Sequence, residues 1–240
     1  MKMFARPSPN HDTRPGAIDM LVLHYTGMKT AEEALARLCD PQARVSAHYT
    51  VDLDGKVYAH VPEERRAWHA GISYWAGERN INGCSVGIEI VNPGHEFGYV
   101  AFPKAQIAAV IDLARGIVAR HTIPRARVVA HSDVAPARKE DPGELFPWAE
   151  LAEGGVGLWP FQSVSLSGAA EETEGGVDRA TRDAFLKNLG DFGYGVPPEV
   201  DVPVEKLVRA FQRHWRPWKI DGVIDAESVL RLGTLLAALS

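Results

Sequence analysis

Two hydrophobic rhythms run along this chain of 240 residues. Short apolar runs bounded by turn residues come first. Residues 18–25 (Ile-Asp-Met-Leu-Val-Leu-His-Tyr) and 85–91 (Ser-Val-Gly-Ile-Glu-Ile-Val) read as buried strands, and 127–130 as a short strand that delivers His131. Residues 46–51 and 56–60 flank Asp52-Leu53-Asp54-Gly55, a hairpin-turn composition. Helical spacing appears over 30–39, where Ala31, Ala34, Leu35 and Leu38 are apolar and Thr30 and Glu33 are placed as a capping box. It returns over 104–121, with Ile107, Val110, Ile111, Ala114, Ile117 and Val118 on one face. Strands alternating with helices predict an α/β (α+β) architecture, a central mixed β-sheet flanked by helices.

The pattern then changes. Residues 152–157 are Gly-rich and acidic, and a second loose stretch covers 163–176. Three helical patterns follow. Asp178 is placed to cap a helix through Leu189, and Pro203 to open one through His214. Asp225 is placed to cap a last helix carrying Val229, Leu230, Leu232, Leu235 and Leu236. Three helices in about 65 residues make a bundle near the lower size of a self-sufficient core, so it is predicted to pack on the rest. The division is therefore a first domain at 1–158, a linker at 159–176 and a three-helix bundle at 177–240.

Composition narrows the function. Apolar residues at 45% and charged residues at 24% are ordinary for a globular protein. The net charge of −5 offers no basic face to nucleic acid, and Arg65-Arg66 and the arginines near 125 read as solvated surface. No run approaches the roughly 18 apolar residues of a membrane span. The opening Met-Lys-Met-Phe-Ala-Arg-Pro-Ser-Pro-Asn has no apolar core of a secretory signal. Cys39 and Cys84 are too few for a disulfide framework and are expected as buried free thiols. The expected location is the cytoplasm, or the periplasm if a signal once preceded this sequence.

The densest chemistry lies at 131–143, where His131 is followed by Lys139 and Asp141, and Pro136 and Pro142 keep the segment from regular helix. Imidazole nitrogen and carboxylate oxygen are both zinc ligands, and a catalytic zinc needs a third ligand and an open position. Of nine histidines, His11, His60, His95, His121 and His214 sit in polar or loop contexts. His24, His48 and His69 are the candidates, and His24 stands out because it ends an apolar strand, a costly place for an unbound polar ring. Glu89 interrupts the apolar run of Val86, Ile88 and Ile90. It either faces a cation, a metal site or a cavity, or lies on a solvated strand end.

Five segments in one order carry a family resemblance: Val22-Leu23-His24-Tyr25-Thr26, Ser46-Ala47-His48-Tyr49, Trp68-His69-Ala70-Gly71, Asn82-Gly83-Cys84-Ser85-Val86-Gly87-Ile88-Glu89, and His131-Ser132-Asp133 through Lys139-Glu140-Asp141-Pro142-Gly143. Over residues 15–150 the chain resembles zinc-dependent N-acetylmuramoyl-L-alanine amidases of the peptidoglycan-recognition-protein fold, in the AmpD/AmiD-like branch. The resemblance implies one Zn²⁺ held by His24, His131 and Asp141, Glu89 as the base, and Lys139 as the oxyanion partner. None of these five positions departs from the family pattern. It implies hydrolysis of the amide between (1,6-anhydro-)N-acetylmuramic acid and L-alanine of muropeptides in cell-wall recycling. The alternatives are an envelope amidase acting on intact wall and a peptidoglycan sensor without turnover, which the intact ligand set disfavours. Trp68, His69 and Trp75 read either as an aromatic substrate wall or as a loop packed by its own rings. Asn80 and Asn82 either bind the peptide stem or shape the turn, and His48 is either a hydrogen-bond partner or packing. In the bundle, Ala210-Phe211-Gln212-Arg213 and Asp221-Gly222-Val223-Ile224-Asp225 resemble three-helix peptidoglycan-binding domains, and the resemblance implies either a glycan contact or a structural appendage.

Overall fold

The computed structural model describes residues 2–161 and 177–239. The expected loose stretch at 163–176, and so most of the linker, lies outside them. The strands are β1 (Met3–Ala5), β2 (His11–Thr13), β3 (Met20–Tyr25), β4 (Tyr49–Val51), β5 (Val57–Ala59), β6 (Arg65–Ala67), β7 (Ser85–Ile90) and β8 (Val128–Ala130). Six of them form one sheet in the order β1-β5-β4-β7-β3-β8, and β2 pairs with β6. Within the large sheet only the β4–β5 hairpin is antiparallel. The helices are α1 (Ala31–Cys39), α2 (Ile81–Cys84), α3 (Gly94–Phe97), α4 (Lys104–His121), α5 (His131–Val134), α6 (Trp148–Glu153), α7 (Arg179–Phe192), α8 (Val204–Trp215) and α9 (Ala226–Ala237). This is the mixed, helix-flanked sheet that the alternating pattern predicts. The strands β1, β2 and β6 escape that reading because each has only three residues, and β2 and β6 are mostly polar or charged.

Successive residues of a strand point to opposite faces, and here the two faces meet different partners. Leu21 and Leu23 of β3, Val86, Ile88 and Ile90 of β7, and Val128 and Ala130 of β8 pack on Ile107, Val110, Leu113, Ala114 and Ile117 of α4. On the other face Met20, Val22 and Val129 join Trp75, then Phe185 and Leu189 of α7, Phe211 and Trp215 of α8, and Leu232 and Leu235 of α9. The C-terminal helices thus pack on the sheet through one continuous apolar cluster. Each fully buried large side chain in such a cluster is worth about 1.5–3 kcal/mol.

Local sequence explains the helix starts. Thr30, Asp178 and Asp225 accept hydrogen bonds from the backbone N–H of Glu33, Thr181 and Ser228. The turn before α9 is tied from inside: Gln212 Oε1 accepts from Gly222 N at 2.8 Å, and its Nε2 donates to Asp221 and to the Val223 carbonyl. The buried Arg216 guanidinium lies 2.9 Å from Asp225. The Asp-Gly-Val-Ile-Asp motif is thereby engaged in holding the bundle together. Both cysteines are free and half-buried, and no helix among the described residues is long and apolar enough to cross a membrane.

Candidate metal centre and catalytic cleft

Strand parity brings the polar residues together. His24 follows Val22 by two positions and continues its face. Glu89 lies opposite His24 in the β3–β7 register. Leu23 registers with Ala130, so His131, one residue further, emerges beside His24. Three strand ends therefore present His24, Glu89 and His131 on the face away from α4. Asp141 reaches them on the returning loop, whose carbonyl accepts from Ser132 N at 3.0 Å.

His24 Nδ1 lies 2.9 Å from His131 Nδ1 and 3.1 Å from Asp141 Oδ2, and His131 Nδ1 lies 2.9 Å from the same oxygen. All three residues are buried. The second nitrogens determine where the protons sit, since each neutral imidazole carries one N–H. His131 Nε2 faces the Ala70 carbonyl at 3.1 Å, which can only accept, so Nδ1 holds a lone pair. Ser85 Oγ donates to the Ile81 carbonyl at 2.6 Å, so it accepts from His69 Nε2 at 3.2 Å. His69 Nδ1 then accepts from His24 Nε2 at 3.0 Å, which leaves a lone pair on His24 Nδ1. Two imidazole lone pairs and a carboxylate oxygen converge with no proton between them. Their ligand atoms lie within 4.8 Å of one another, and this donor set fits a divalent cation such as zinc.

The electrostatics follow from burial. Burial, then the repulsion a charged His131 would exert, pushes His24 down to about 4 against the hydrogen bond that only its protonated form could make to Asp141, so the ring is neutral. Burial raises the Asp141 carboxyl, but His131 and His24 more than reverse it and hold it far below the usual carboxylate range. Glu89 moves the other way. Burial, with the Asp141 charge adding, pushes it up to about 8 against the pull of Lys139. Its Oε2 is buried and has no partner within the protein. The cleft holds about 270 Å³ and is lined by His24, Tyr25, Trp68, Glu89, Lys139 and Asp141 among others. It can bind a cation and hold a proton acceptor and a positive side chain around one open cleft.

Residues 13–144 match the family Amidase_2, N-acetylmuramoyl-L-alanine amidase. The chain belongs to the N-acetylmuramoyl-L-alanine amidase family. It is 43% identical over 228 residues to the N-acetylmuramoyl-L-alanine amidase AmiD of Escherichia coli, covering 88% of this chain and 79% of that protein. The 1,6-anhydro-N-acetylmuramyl-L-alanine amidase AmpD of Escherichia coli is 33% identical over 164 residues, which cover 60% of this chain and 87% of AmpD. The solved complex of E. coli AmiD with the substrate anhydro-N-acetylmuramic acid-L-Ala-D-γ-Glu-L-Lys matches with a TM-score of 0.81 at 38% identity, over 95% of this chain and 92% of that one. AmpDh3 of Pseudomonas aeruginosa in complex with anhydromuramic pentapeptide matches at 0.76 and 33%, over 95% of both chains.

Within this amidase fold the aromatic loop resolves residue by residue. Trp75 is 1% exposed and packs edge-on against Tyr194 and Phe192 at ring distances of 4.9 and 6.0 Å, so it has no surface to offer a substrate. Asn82 Oδ1 accepts from the backbone N–H of His69 and Ala70 and shapes the loop. Asn80 takes the same local part, its backbone N–H bonded to Glu78. His69 borders the cleft, yet both its ring nitrogens are bonded within the protein, to His24 and Ser85. Trp68 lines the cleft, with its Nε1 donating to Asp12. Sequence reasoning missed Ser85 and Gly87, although both share Glu89's parity on β7. A Cβ on Gly87 would stand 2.5 Å from the His69 ring, so only glycine admits that ring. His48 touches neither ligand histidine. Its Nδ1 accepts from Gly87 N at 3.0 Å.

Proposed function

We propose that this cleft hydrolyses the amide between N-acetylmuramic acid, including its 1,6-anhydro form, and L-alanine in peptidoglycan fragments, within cell-wall recycling. One zinc ion is held by His24 Nδ1, His131 Nδ1 and an Asp141 oxygen. The observation that carries the reading is the convergence of those three lone pairs beside Glu89, whose Oε2 is buried and unpartnered. The muropeptides in the AmiD and AmpDh3 complexes support the substrate class. Zinc supplies a Lewis acid that brings the pKa of a coordinated water to about 7.

The protein's own residues do the rest. Glu89 takes a proton from the attacking water at its free Oε2 and returns it to the L-alanine nitrogen as the carbonyl carbon–nitrogen bond breaks. Burial raises this carboxyl, so a proton taken from the water is held strongly enough to be carried to the leaving nitrogen. Lys139 places a fixed positive charge toward the oxyanion, where a preorganised charge needs no rearrangement during the reaction. Tyr25 and Trp68 line the cleft beside these groups.

The domain division is proposed as 1–158 for catalysis and 177–240 for the bundle, joined by 159–176, with the enzyme at work in the cytoplasm. A second reading, action on intact wall in the envelope, draws support from the bundle's likeness to peptidoglycan-binding domains. Cell fractionation and a comparison of soluble anhydro-muropeptide with whole sacculi separate the two. The primary test is mass spectrometry of an anhydro-muropeptide digest. Free peptide stem is expected with zinc present, and its absence sinks the proposal. Glu89→Gln is expected to keep zinc and lose turnover, and His24→Ala to lose zinc.

A further inference from the structure

Asp133 is fully buried two residues beyond His131, and its carboxylate is filled by donors from two parts of the chain. Oδ2 accepts from the backbone N–H of Ala130, the residue before His131, at 2.8 Å. The same oxygen accepts from His214 Nδ1 of α8 at 2.6 Å. Oδ1 accepts from the Tyr194 hydroxyl, just beyond α7, at 2.6 Å. Both bundle donors are themselves fixed. His214 is stacked between Trp148 and Trp215, each 3.6 Å away. The Tyr194 hydroxyl accepts from Trp215 Nε1 at 3.0 Å.

The neighbouring contacts run along the same segment. Lys206 Nζ donates to the Ala137 carbonyl at 2.9 Å, and Arg213 reaches Glu140, the residue before Asp141, at 3.0 Å. One helix, α8, therefore grips the 131–141 loop near His131, in its middle and beside Asp141.

We propose that Tyr194 and His214 are positioning residues for the metal centre: through the Asp133 carboxylate they fix the turn that aims His131 Nδ1 at its ligand partners. The bundle is then part of the catalytic apparatus and not only an attachment for recognising wall. A turn released from these donors lets His131 drift from the geometry it shares with His24 and Asp141. Loss of a hydrogen bond behind a metal ligand typically weakens metal affinity about 10–100-fold. The inference rests on the ligand set proposed above.

The test measures zinc affinity of the full-length protein by competition with a chromophoric chelator, together with kcat and KM. Tyr194→Phe removes one hydroxyl, and His214→Ala removes one donor. Each is expected to weaken zinc about tenfold and to lower kcat more than it raises KM. His214→Asn, whose amide N–H takes the place of Nδ1–H, is expected to recover most of the loss. Leu235→Ala loosens the same bundle without touching Asp133, and it is expected to lower the melting temperature while leaving zinc affinity unchanged. Parental zinc affinity in both Tyr194→Phe and His214→Ala overturns the proposal. So does an equal loss of affinity in Leu235→Ala. If His214→Ala does not fold, Tyr194→Phe alone carries the decision. A parent chain that binds no zinc refutes the ligand set instead, so the two failures are distinguishable.

Discussion

Two buried carboxylates lie on one loop of this amidase, and they are opposites. Asp133 receives three donors and faces no lone pair. Asp141 faces the lone pairs of His24 and His131 at 3.1 and 2.9 Å. Both pair aspartate with histidine, both are closed to solvent, and both lie within ten residues of His131. The difference is the direction of the protons on the partners. Converging donors complete a carboxylate inside the protein and make a clamp. Converging lone pairs leave a site that a cation completes and make a ligand set. A buried Asp–His pair is therefore not evidence of a metal site until the second nitrogen of each ring has been traced.

The largest expected effect tests that contrast directly. Asp141→Ala removes a proposed ligand and should lower kcat/KM by more than the roughly 10²–10³-fold of a single lost electrostatic contact. Metal dependence of stability should vanish with it. At zinc about 1,000-fold above its Kd, the parent gains about 4 kcal/mol over the chelated protein, and Asp141→Ala should gain little. Thermal melts with and without chelator measure both. An undiminished zinc shift in Asp141→Ala would break the comparison.

The contrast also marks what the sequence could and could not tell. His24, Glu89 and His131 were legible because each ends or interrupts an apolar strand, and a period of two settles which face each takes. Asp141 was legible as a candidate from its place beside His131 and Lys139 in a segment that prolines keep from helix, and its ligand role was implied only by the family resemblance. Asp133 was not legible, because its partners Tyr194 and His214 are 61 and 81 residues away and nothing local marks them. Trp75 was ambiguous for the same reason: an aromatic in a Gly-containing loop reads alike whether it faces a substrate or Phe192 and Tyr194. The helices of the bundle were predicted from their caps and periodicity, whereas their contribution to the sheet's second face depends on contacts across the whole chain.

A smaller effect sharpens the ligand side. His69 holds His24 in the tautomer that leaves Nδ1 free. His69→Ala is expected to weaken zinc about 10–100-fold while its substrate KM changes little. Gly87→Ala should do the same with His69 still present, because the new Cβ would meet that ring at 2.5 Å. Chelator competition on the two variants checks this. Parental zinc affinity in both would mean that the His24–His69–Ser85 chain is packing and not orientation. A large rise in KM with affinity intact would return His69 to the substrate wall.

The smallest effect concerns His48, a buried polar group of the completed kind. Its Nδ1 already accepts the Gly87 N–H at 3.0 Å, and its Nε2 faces the Arg65 carbonyl at 3.2 Å with the Arg14 guanidinium 2.9 Å away. Burial first, and then the Arg14 charge, push the imidazole down from 6.5 to about 3. Between pH 6.5 and 3 the unfolded chain therefore binds a proton that the folded chain refuses. The stability held by neutral His48 is fully present above pH 6.5 and is lost as pH falls, at about 1.4 kcal/mol per pH unit at most. His60, lowered by burial, pulls in the same direction. Glu89, shifted upward, acts oppositely, but its contribution cancels when parent and variant are compared at one pH. His48→Asn keeps an acceptor for Gly87 and has no proton to take up. Urea midpoints of the metal-free proteins at pH 7 and pH 5 should show a steeper acid loss in the parent than in the variant. Equal losses would place the acid sensitivity of the fold elsewhere, and would show that a completed buried histidine costs nothing to titrate.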